Sequence, residues 1–230
     1  MNAAGQLPTL LVDLGNSRLK WVWLEAGRVG QAAALSHRAE DLRRQLDTGW
    51  GRMSAPGRVV LASVANSQRT EAFRAWVKGR WGLTVEQVYS RDKALGVTNA
   101  YAEPRHLGVD RWLALIAVHR RFPGPACIVD CGSAITIDGL AADGRHLGGL
   151  ILPGLAMMRE ALLRGTGLSD VPPPPEPRWL ACDTAGAIGY GGLFACVALV
   201  ERLAERVRGE CVRVPEIILS GGDGARLKPL

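Results

Sequence analysis

The sequence predicts an α/β protein built from two similar lobes. Short apolar runs typical of buried strands alternate along the chain with segments that have helical spacing. A strand that ends in an Asp-x-Gly turn and is followed by two more strands occurs at Asp13 and again at Asp130. Between these two repeats, Pro123-Gly124-Pro125 ends a helix. We therefore predict an N-terminal lobe of residues 1–122 and a C-terminal lobe of residues 123–230.

The first lobe opens with three predicted strands. Residues 10–12 are an aliphatic run, Gly15-Asn16-Ser17 has the residue types of a tight turn, and apolar residues alternate from Leu19 to Trp23. A third strand is predicted at residues 28–34. A helix, a buried strand, a helix, a strand and a longer helix follow at residues 39–46, 58–65, 70–79, 84–89 and 107–122.

The second lobe repeats the opening order. Three strands are predicted at residues 126–129, 135–140 and 146–152, followed by a helix at 153–163 and a glycine-rich helix at 183–208. Four consecutive prolines, Pro172 to Pro175, predict a stiff surface segment between these helices. A last strand at 216–219 leads into Gly221-Gly222-Asp223, a turn suited to a close approach to a nucleotide's sugar or base.

Composition narrows the class of protein. The net charge is +6, but the arginines are scattered, which favours a solvated surface or small anionic ligands over nucleic acid. Five cysteines without zinc-site spacing predict reduced thiols, and residues 1–8 lack the features of a signal peptide. The most apolar helical stretch meets Glu201-Arg202 before the roughly 20 residues that a bilayer requires. We therefore expect a cytoplasmic protein without membrane segments.

Four short motifs place glycine near a carboxylate, and the first adds exposed backbone N–H groups, an amide, a hydroxyl and a lysine, a set that can hold a polyphosphate and its metal ion. They are Asp13-Leu14-Gly15-Asn16-Ser17-Arg18-Leu19-Lys20, Gly108-Val109-Asp110-Arg111, Asp130-Cys131-Gly132-Ser133-Ala134-Ile135-Thr136-Ile137-Asp138 and Gly221-Gly222-Asp223. In this order and at these intervals they resemble the type III pantothenate kinase family, over nearly the whole chain. The resemblance implies the actin-like, sugar-kinase and heat-shock-ATPase fold, with two RNase H-like lobes and ATP between them.

The resemblance also implies the ligands of the nucleotide side. ATP, with Mg²⁺ on its phosphates, is expected at the first phosphate loop and at a second-lobe hydroxyl, with Asp13 on the metal side. The residues that match are Asp13, Gly15, Asn16, Ser17, Lys20 and Ser133. Asp130 matches the position that holds a monovalent cation, K⁺ or NH₄⁺. Ser133 replaces a threonine and keeps its hydroxyl.

For the acceptor, the resemblance implies phosphorylation of pantothenate, the first step of coenzyme A biosynthesis. Asp110 is the implied general base, which accepts the proton of the pantothenate hydroxyl as it attacks the γ-phosphorus. Arg111 would orient the substrate, and Asp138 would support the site. The implied pantothenate contacts are Tyr101, Gly108, Val109, Asp110, Arg111 and Thr184. A homodimer is implied because the family's substrate pockets lie at or near a dimer interface.

Each of these residues also fits an ordinary structural role. Asp110 suits the dipole at a helix start, Asp130 suits a turn, Thr184 suits a helix N-cap, and Tyr101 suits a partly buried loop. Three other functions also stay open: a non-catalytic accessory or regulatory protein, an RNase H-like nuclease, and a kinase for another small alcohol. ATP turnover with and without pantothenate, in potassium and in sodium buffer, separates most of them.

Overall fold

The structure, a computed structural model, describes residues 7–37, 42–168, 172 and 176–230. The strands within these ranges are β1 (Thr9–Leu14), β2 (Arg18–Glu25), β3 (Arg28–Val29), β4 (Ala33–Ser36), β5 (Arg58–Ser63), β6 (Val85–Gln87), β7 (Lys93–Ala94), β8 (Val97–Thr98), β9 (Ala126–Cys131), β10 (Ala134–Leu140), β11 (His146–Pro153) and β12 (Glu216–Ser220). The helices are α1 (Leu42–Trp50), α2 (Ser67–Trp81), α3 (Val109–Arg121), α4 (Leu155–Thr166), α5 (Thr184–Cys211) and α6 (Gly224–Leu227).

The chain divides into two compact units. The first contains Met1–Ser90 and Arg105–Asp110, and the second contains Arg91–Pro104 and Arg111–Leu230. Most of α3 therefore belongs to the second unit. The predicted boundary between residues 122 and 123 falls inside the second unit and not between the two.

The first unit is organised around a mixed sheet with strand order β3-β2-β1-β5-β6. Strand β1 pairs antiparallel with β2 and parallel with β5, so it lies at the centre of the sheet. Its alternate residues Leu10, Val12 and Leu14 are buried because one face of the strand packs into the core. Aromatic residues from α1 and α2, including Trp50 and Phe73, fill that core.

The second unit repeats this topology in the order β11-β10-β9-β12. Its first strand, β9, again pairs antiparallel with the next strand and parallel with the strand that follows a long connection, β12. Helix α5 packs Leu193, Cys196 and Val197 into the core of this unit. The repeated strand order confirms the predicted duplication and the RNase H-like topology of each lobe, and with it the fold class.

Two predicted elements need correction, and two short strands are additional to the prediction. The third strand at 28–34 is interrupted: the Gly30 N–H donates to the Trp23 carbonyl, and the chain then pairs again with β2 as a separate strand, β4. Helix α1 continues past the predicted end at Leu46 to Trp50, and Trp50 is buried at helical spacing from Leu46. Residues 39–41, where the helix was predicted to start, lie outside the described part of the chain. The two-residue strands β7 and β8 were not predicted.

Helix α5 is long enough to cross a membrane, which the sequence had not led us to expect. It continues past Glu201 and Arg202 to Cys211, and in the described part of the chain it alone is long and apolar enough to cross a membrane. The same length and composition are found in core helices of soluble proteins, and α5 supplies buried residues to the second unit. Of the predicted proline segment, only Pro172 is among the described residues.

Candidate active site

The first predicted phosphate loop connects β1 and β2. Asp13 is the penultimate residue of β1 and pairs across the hairpin with Lys20, whose Nζ lies 3.5 Å from the Asp13 carboxylate. Both side chains are about half exposed. The Gly15 N–H donates to the Arg18 carbonyl, which closes the turn. The loop is therefore a tight, accessible hairpin with a carboxylate and an ammonium at its base.

A cation that the motifs did not reveal lies beside this loop. Arg69, in the first turn of α2, donates from Nη1 to the Asn16 carbonyl at 2.9 Å. Asn66 caps the same helix by accepting from the Arg69 N–H. The helix start, with its positive dipole end, is thereby fixed to the loop. Arg69 belongs to no motif, so only the fold reveals this contact.

Asp110 lies in the first turn of α3 and is partly exposed. Its neighbour Gly108 leaves room for its carboxylate: a Cβ added to Gly108 would lie 2.5 Å from Asp110 Oδ1. A side chain at position 108 would thus compete with the carboxylate for space. The absence of a side chain at Gly108 thus leaves the space that the carboxylate of the predicted base occupies.

The second predicted loop, at the end of β9, occupies the equivalent place in the second unit. Asp130 is the penultimate residue of β9, as Asp13 is of β1, and its Oδ1 accepts from the Ser220 hydroxyl at 3.0 Å. The turn at Gly221–Asp223 adjoins it, because the Asp223 N–H donates to the Cys131 carbonyl. Ser133 is exposed. The structure therefore brings the second loop and the last glycine turn together.

The thiol in this loop does not suit chemistry at neutral pH. Burial, and to a lesser extent the charge of Asp130, raises the pKa of Cys131 to about 11. The thiolate needed for nucleophilic attack is therefore scarce at pH 7.

Arg111 and Tyr101 contact each other within the second unit. Arg111 is buried, and its Nη1 donates to the Tyr101 hydroxyl at 3.0 Å. Its Nε and Nη2 donate to the two oxygens of Asp138 at 2.8 and 2.6 Å. Burial opposes the charge on Arg111, but the bonds to Asp138 outweigh it and raise the arginine's pKa. Asp138, expected from the sequence only to support the site, therefore fixes the position of Arg111.

Thr184 is the first residue of α5 and is exposed. Asp183, not Thr184, is the N-cap: its Oδ1 accepts from the Gly186 N–H at 2.7 Å. The threonine hydroxyl is not needed as the cap. Within the described ranges, no three His, Cys, Asp or Glu side chains form a group that could hold a metal by themselves.

Comparison with known proteins decides the family. The type III pantothenate kinase family model matches residues 9–206. The chain is 40% identical over 227 residues to the type III pantothenate kinase of Nitrosococcus oceani, covering 96% of this chain and 85% of that protein. The chain belongs to the type III pantothenate kinase family. It is also 38% identical over 223 residues to the family member from Halorhodospira halophila, covering 95% of this chain and 88% of that protein.

A solved structure supports the fold of this type III pantothenate kinase family member. A Campylobacter jejuni protein, described as a conserved putative Baf family transcriptional activator, superposes with a TM-score of 0.61 at 21% identity. The alignment covers 95% of this chain and 85% of that one. At this identity the likeness concerns the fold alone. The resemblance predicted from the four motifs is confirmed by the family match.

Proposed function

We propose that this chain transfers the γ-phosphoryl group of ATP to the primary hydroxyl of pantothenate, with Asp110 as the general base. Products of this reaction are ADP and phosphopantothenate, the first intermediate on the route to coenzyme A. Membership of the type III pantothenate kinase family is the observation that carries the proposal. The reaction class, phosphoryl transfer to an alcohol, follows from the same membership.

Asp110 suits the role of base for a physical reason. Its carboxylate is partly exposed, so it is accessible to a substrate hydroxyl. The carboxylate accepts the hydroxyl proton while the oxygen forms its bond to the γ-phosphorus and the bond to the β-phosphate oxygen breaks. Gly108 leaves space for this carboxylate.

On the nucleotide side, we assign phosphate contacts to Gly15, Asn16, Ser17 and Lys20 in the first loop and to Ser133 in the second. Turn N–H groups, hydroxyls and an ammonium donate hydrogen bonds to phosphate oxygens. The exposure of Lys20 and Ser133 leaves both side chains accessible to such a ligand. Lys20 would exchange its contact with Asp13 for one with a phosphate.

The residues present fit the two cations that the family implies. The half-exposed carboxylate of Asp13 is a hard oxygen ligand of the kind Mg²⁺ takes together with substrate phosphates. Asp130 and the Ser220 hydroxyl place two oxygens together, which suits a monovalent cation. When bound, these cations neutralise charge on the phosphates.

A homodimer and a cytoplasmic location complete the proposal. Exposed apolar side chains on β11 and α4 support self-association: Leu150, Ile151, Met157 and Leu162 are 43, 64, 47 and 42% exposed. Exposed apolar side chains of this kind are buried when a protein interface forms. We assign Thr184, exposed at the start of α5, to contact pantothenate in this assembly.

The role of Asp110 is tested by Asp110→Asn. Loss of the base should lower kcat by about 100-fold or more. The Kd for ATP should stay near that of the wild type, because the assigned nucleotide contacts are in other segments. Glu103→Gln, a change at an exposed carboxylate, is the control and should retain full activity. Wild-type kcat in the Asp110→Asn variant would exclude Asp110 as the base.

A further inference from the structure

Asp138 is the centre of a buried polar cluster in the second unit. Its side chain is 3% exposed, and its two oxygens accept both hydrogen bonds of a bidentate pair with Arg111. Oδ1 also lies 2.8 Å from His146 Nε2. A bidentate pair fixes both the position and the plane of a guanidinium. The direction of the remaining Arg111 N–H groups is therefore set by Asp138.

His146 connects this pair to the segment that contains Tyr101. The Ala100 N–H can only donate, and it points to His146 Nδ1 at 3.4 Å. We therefore assign the imidazole hydrogen to Nε2, which donates to Asp138. The Tyr101 ring stacks on the His146 ring at 6.2 Å between centroids and 11° between planes. Tyr101 is thus held at its hydroxyl by Arg111 and at its ring by His146.

Gly149 of strand β11 lies against the cluster and has no side chain. Gly149 pairs with Asp138 in the sheet, and a Cβ there would lie 2.4 Å from Asp138 Oδ1 and 2.5 Å from Arg111 Nη2. The ion pair occupies the space that a larger residue would need. His146, at the start of β11, is also buried, with its side chain 0% exposed. The arrangement leaves the four polar side chains little freedom to move.

A buried ion pair contributes little net stability to a protein core. Desolvation of the two charges offsets much of their attraction, and apolar residues of similar size often give equal or greater stability. In this cluster, the polar contacts end on Arg111 and Tyr101, which the family resemblance assigns to pantothenate. Their geometry is consistent with a role in orienting these two side chains.

We propose that Asp138 and His146 are positioning residues that hold Arg111 and Tyr101 in one preorganised arrangement for binding pantothenate. This inference rests on the proposed function and adds two residues that do not themselves touch the substrate. Preorganised side chains bind with a smaller loss of conformational entropy. Disturbing Asp138 or His146 should therefore weaken pantothenate binding and leave ATP binding unchanged.

A matched pair of amides at position 146 tests the proposal. In His146→Gln, the amide nitrogen can take the place of Nε2 and donate to Asp138, whereas the shorter side chain of His146→Asn cannot reach it. We expect KM for pantothenate to rise roughly tenfold in the Asn variant and to stay within about twofold of wild type in the Gln variant. KM for ATP should not change in either. Asp138→Asn is the second variant and should behave like His146→Asn.

Glu205→Gln, at an exposed ion pair of the same unit, is the control and should match wild type. Melting temperatures of all variants show that each is folded. A folded His146→Asn or Asp138→Asn variant with wild-type KM for pantothenate would overturn the inference and leave the kinase function intact. Equal increases in both KM values would do the same, since they indicate general structural damage. Wild-type protein without pantothenate-dependent turnover would overturn the proposed function and the inference together.

Discussion

At the scale of single residues, the space beside Asp110 can be tested directly. Gly108→Ala places a methyl group 2.5 Å from the present position of Asp110 Oδ1, so the carboxylate must move. We expect kcat to fall roughly 10- to 100-fold, since small displacements of a catalytic group are costly. Gly79→Ala is the control, because its Cβ would meet no atom within 4 Å. Equal kcat values in the two variants would contradict the predicted placement.

The ionisation of Asp138 gives a prediction for stability against pH. Burial disfavours its charge, but hydrogen bonds from His146 and Arg111 outweigh burial and lower its pKa. Stability from a carboxyl with a lowered pKa is present above its unfolded pKa of about 4 and is lost as pH falls through the folded pKa. Asp138→Asn should cost about 3–5 kcal/mol at pH 7.

Urea unfolding of wild type and Asp138→Asn at a series of pH values measures this effect. The difference in unfolding free energy should narrow as the pH falls from about 5 toward 3. A difference that is constant over this range would show that Asp138 does not titrate as a paired carboxylate. Unfolding curves of Glu205→Gln, at the exposed ion pair, should follow wild type throughout.

The place of a single residue in the fold was predictable where a motif surrounds it. Asp13 and Asp130 lie at the predicted strand ends, and Asp110 lies at the predicted helix start, because their neighbours supply turn and helix-start signals. The contacts of Arg69 and His146 could not be predicted, since Arg69 reaches Asn16 across 53 residues and His146 reaches Ala100 across 46. Such contacts arise from tertiary packing and leave no local pattern.

At the scale of elements, the start of α5 is a point where stability can be measured. The Asp183 carboxylate accepts from the Gly186 N–H and satisfies one backbone donor of the first turn. Asp183→Ala should therefore lower the unfolding free energy by about 1 kcal/mol, and Asp183→Asn, which retains an acceptor, should lower it less. Urea unfolding measures both. Equal losses in the two variants would mean that charge, and not the capping bond, stabilises this end.

The positions of long strands were easier to predict from the sequence than those of short ones. Strands of five or more residues with a strongly apolar sequence, such as β1, β5 and β10, were located from that pattern. The interruption between β3 and β4 was not, because it follows from how the chain pairs with β2 and not from its own sequence. The two-residue strands β7 and β8 are too short to show any periodicity.

At the scale of the whole molecule, the exposed apolar side chains of β11 and α4 predict assembly. We expect a dimer in solution by light scattering. Ile151→Glu places a charge at a residue that is 64% exposed and should shift the protein to a monomer with reduced turnover. Val214→Glu, at a residue that is 74% exposed on a different segment, should remain dimeric. A wild-type monomer with full activity would contradict the dimer proposal.

The duplication was the whole-molecule feature that the sequence predicted best. Two Asp-x-Gly turns, at Asp13 and Asp130, mark equivalent positions in two sheets that share the order of four strands. The unit boundary was less predictable. The sequence showed that α3 ends just before Pro123, but not that most of the helix belongs with the second unit, which depends on packing.

The most direct test of the kinase proposal is the rate of ADP formation by the purified chain with Mg²⁺-ATP, measured with and without pantothenate in potassium buffer, with the product identified by mass. We predict that pantothenate starts ADP formation and that one phosphopantothenate appears for each ADP. Equal ADP formation with and without pantothenate, or no ADP formation under either condition, would contradict the proposal.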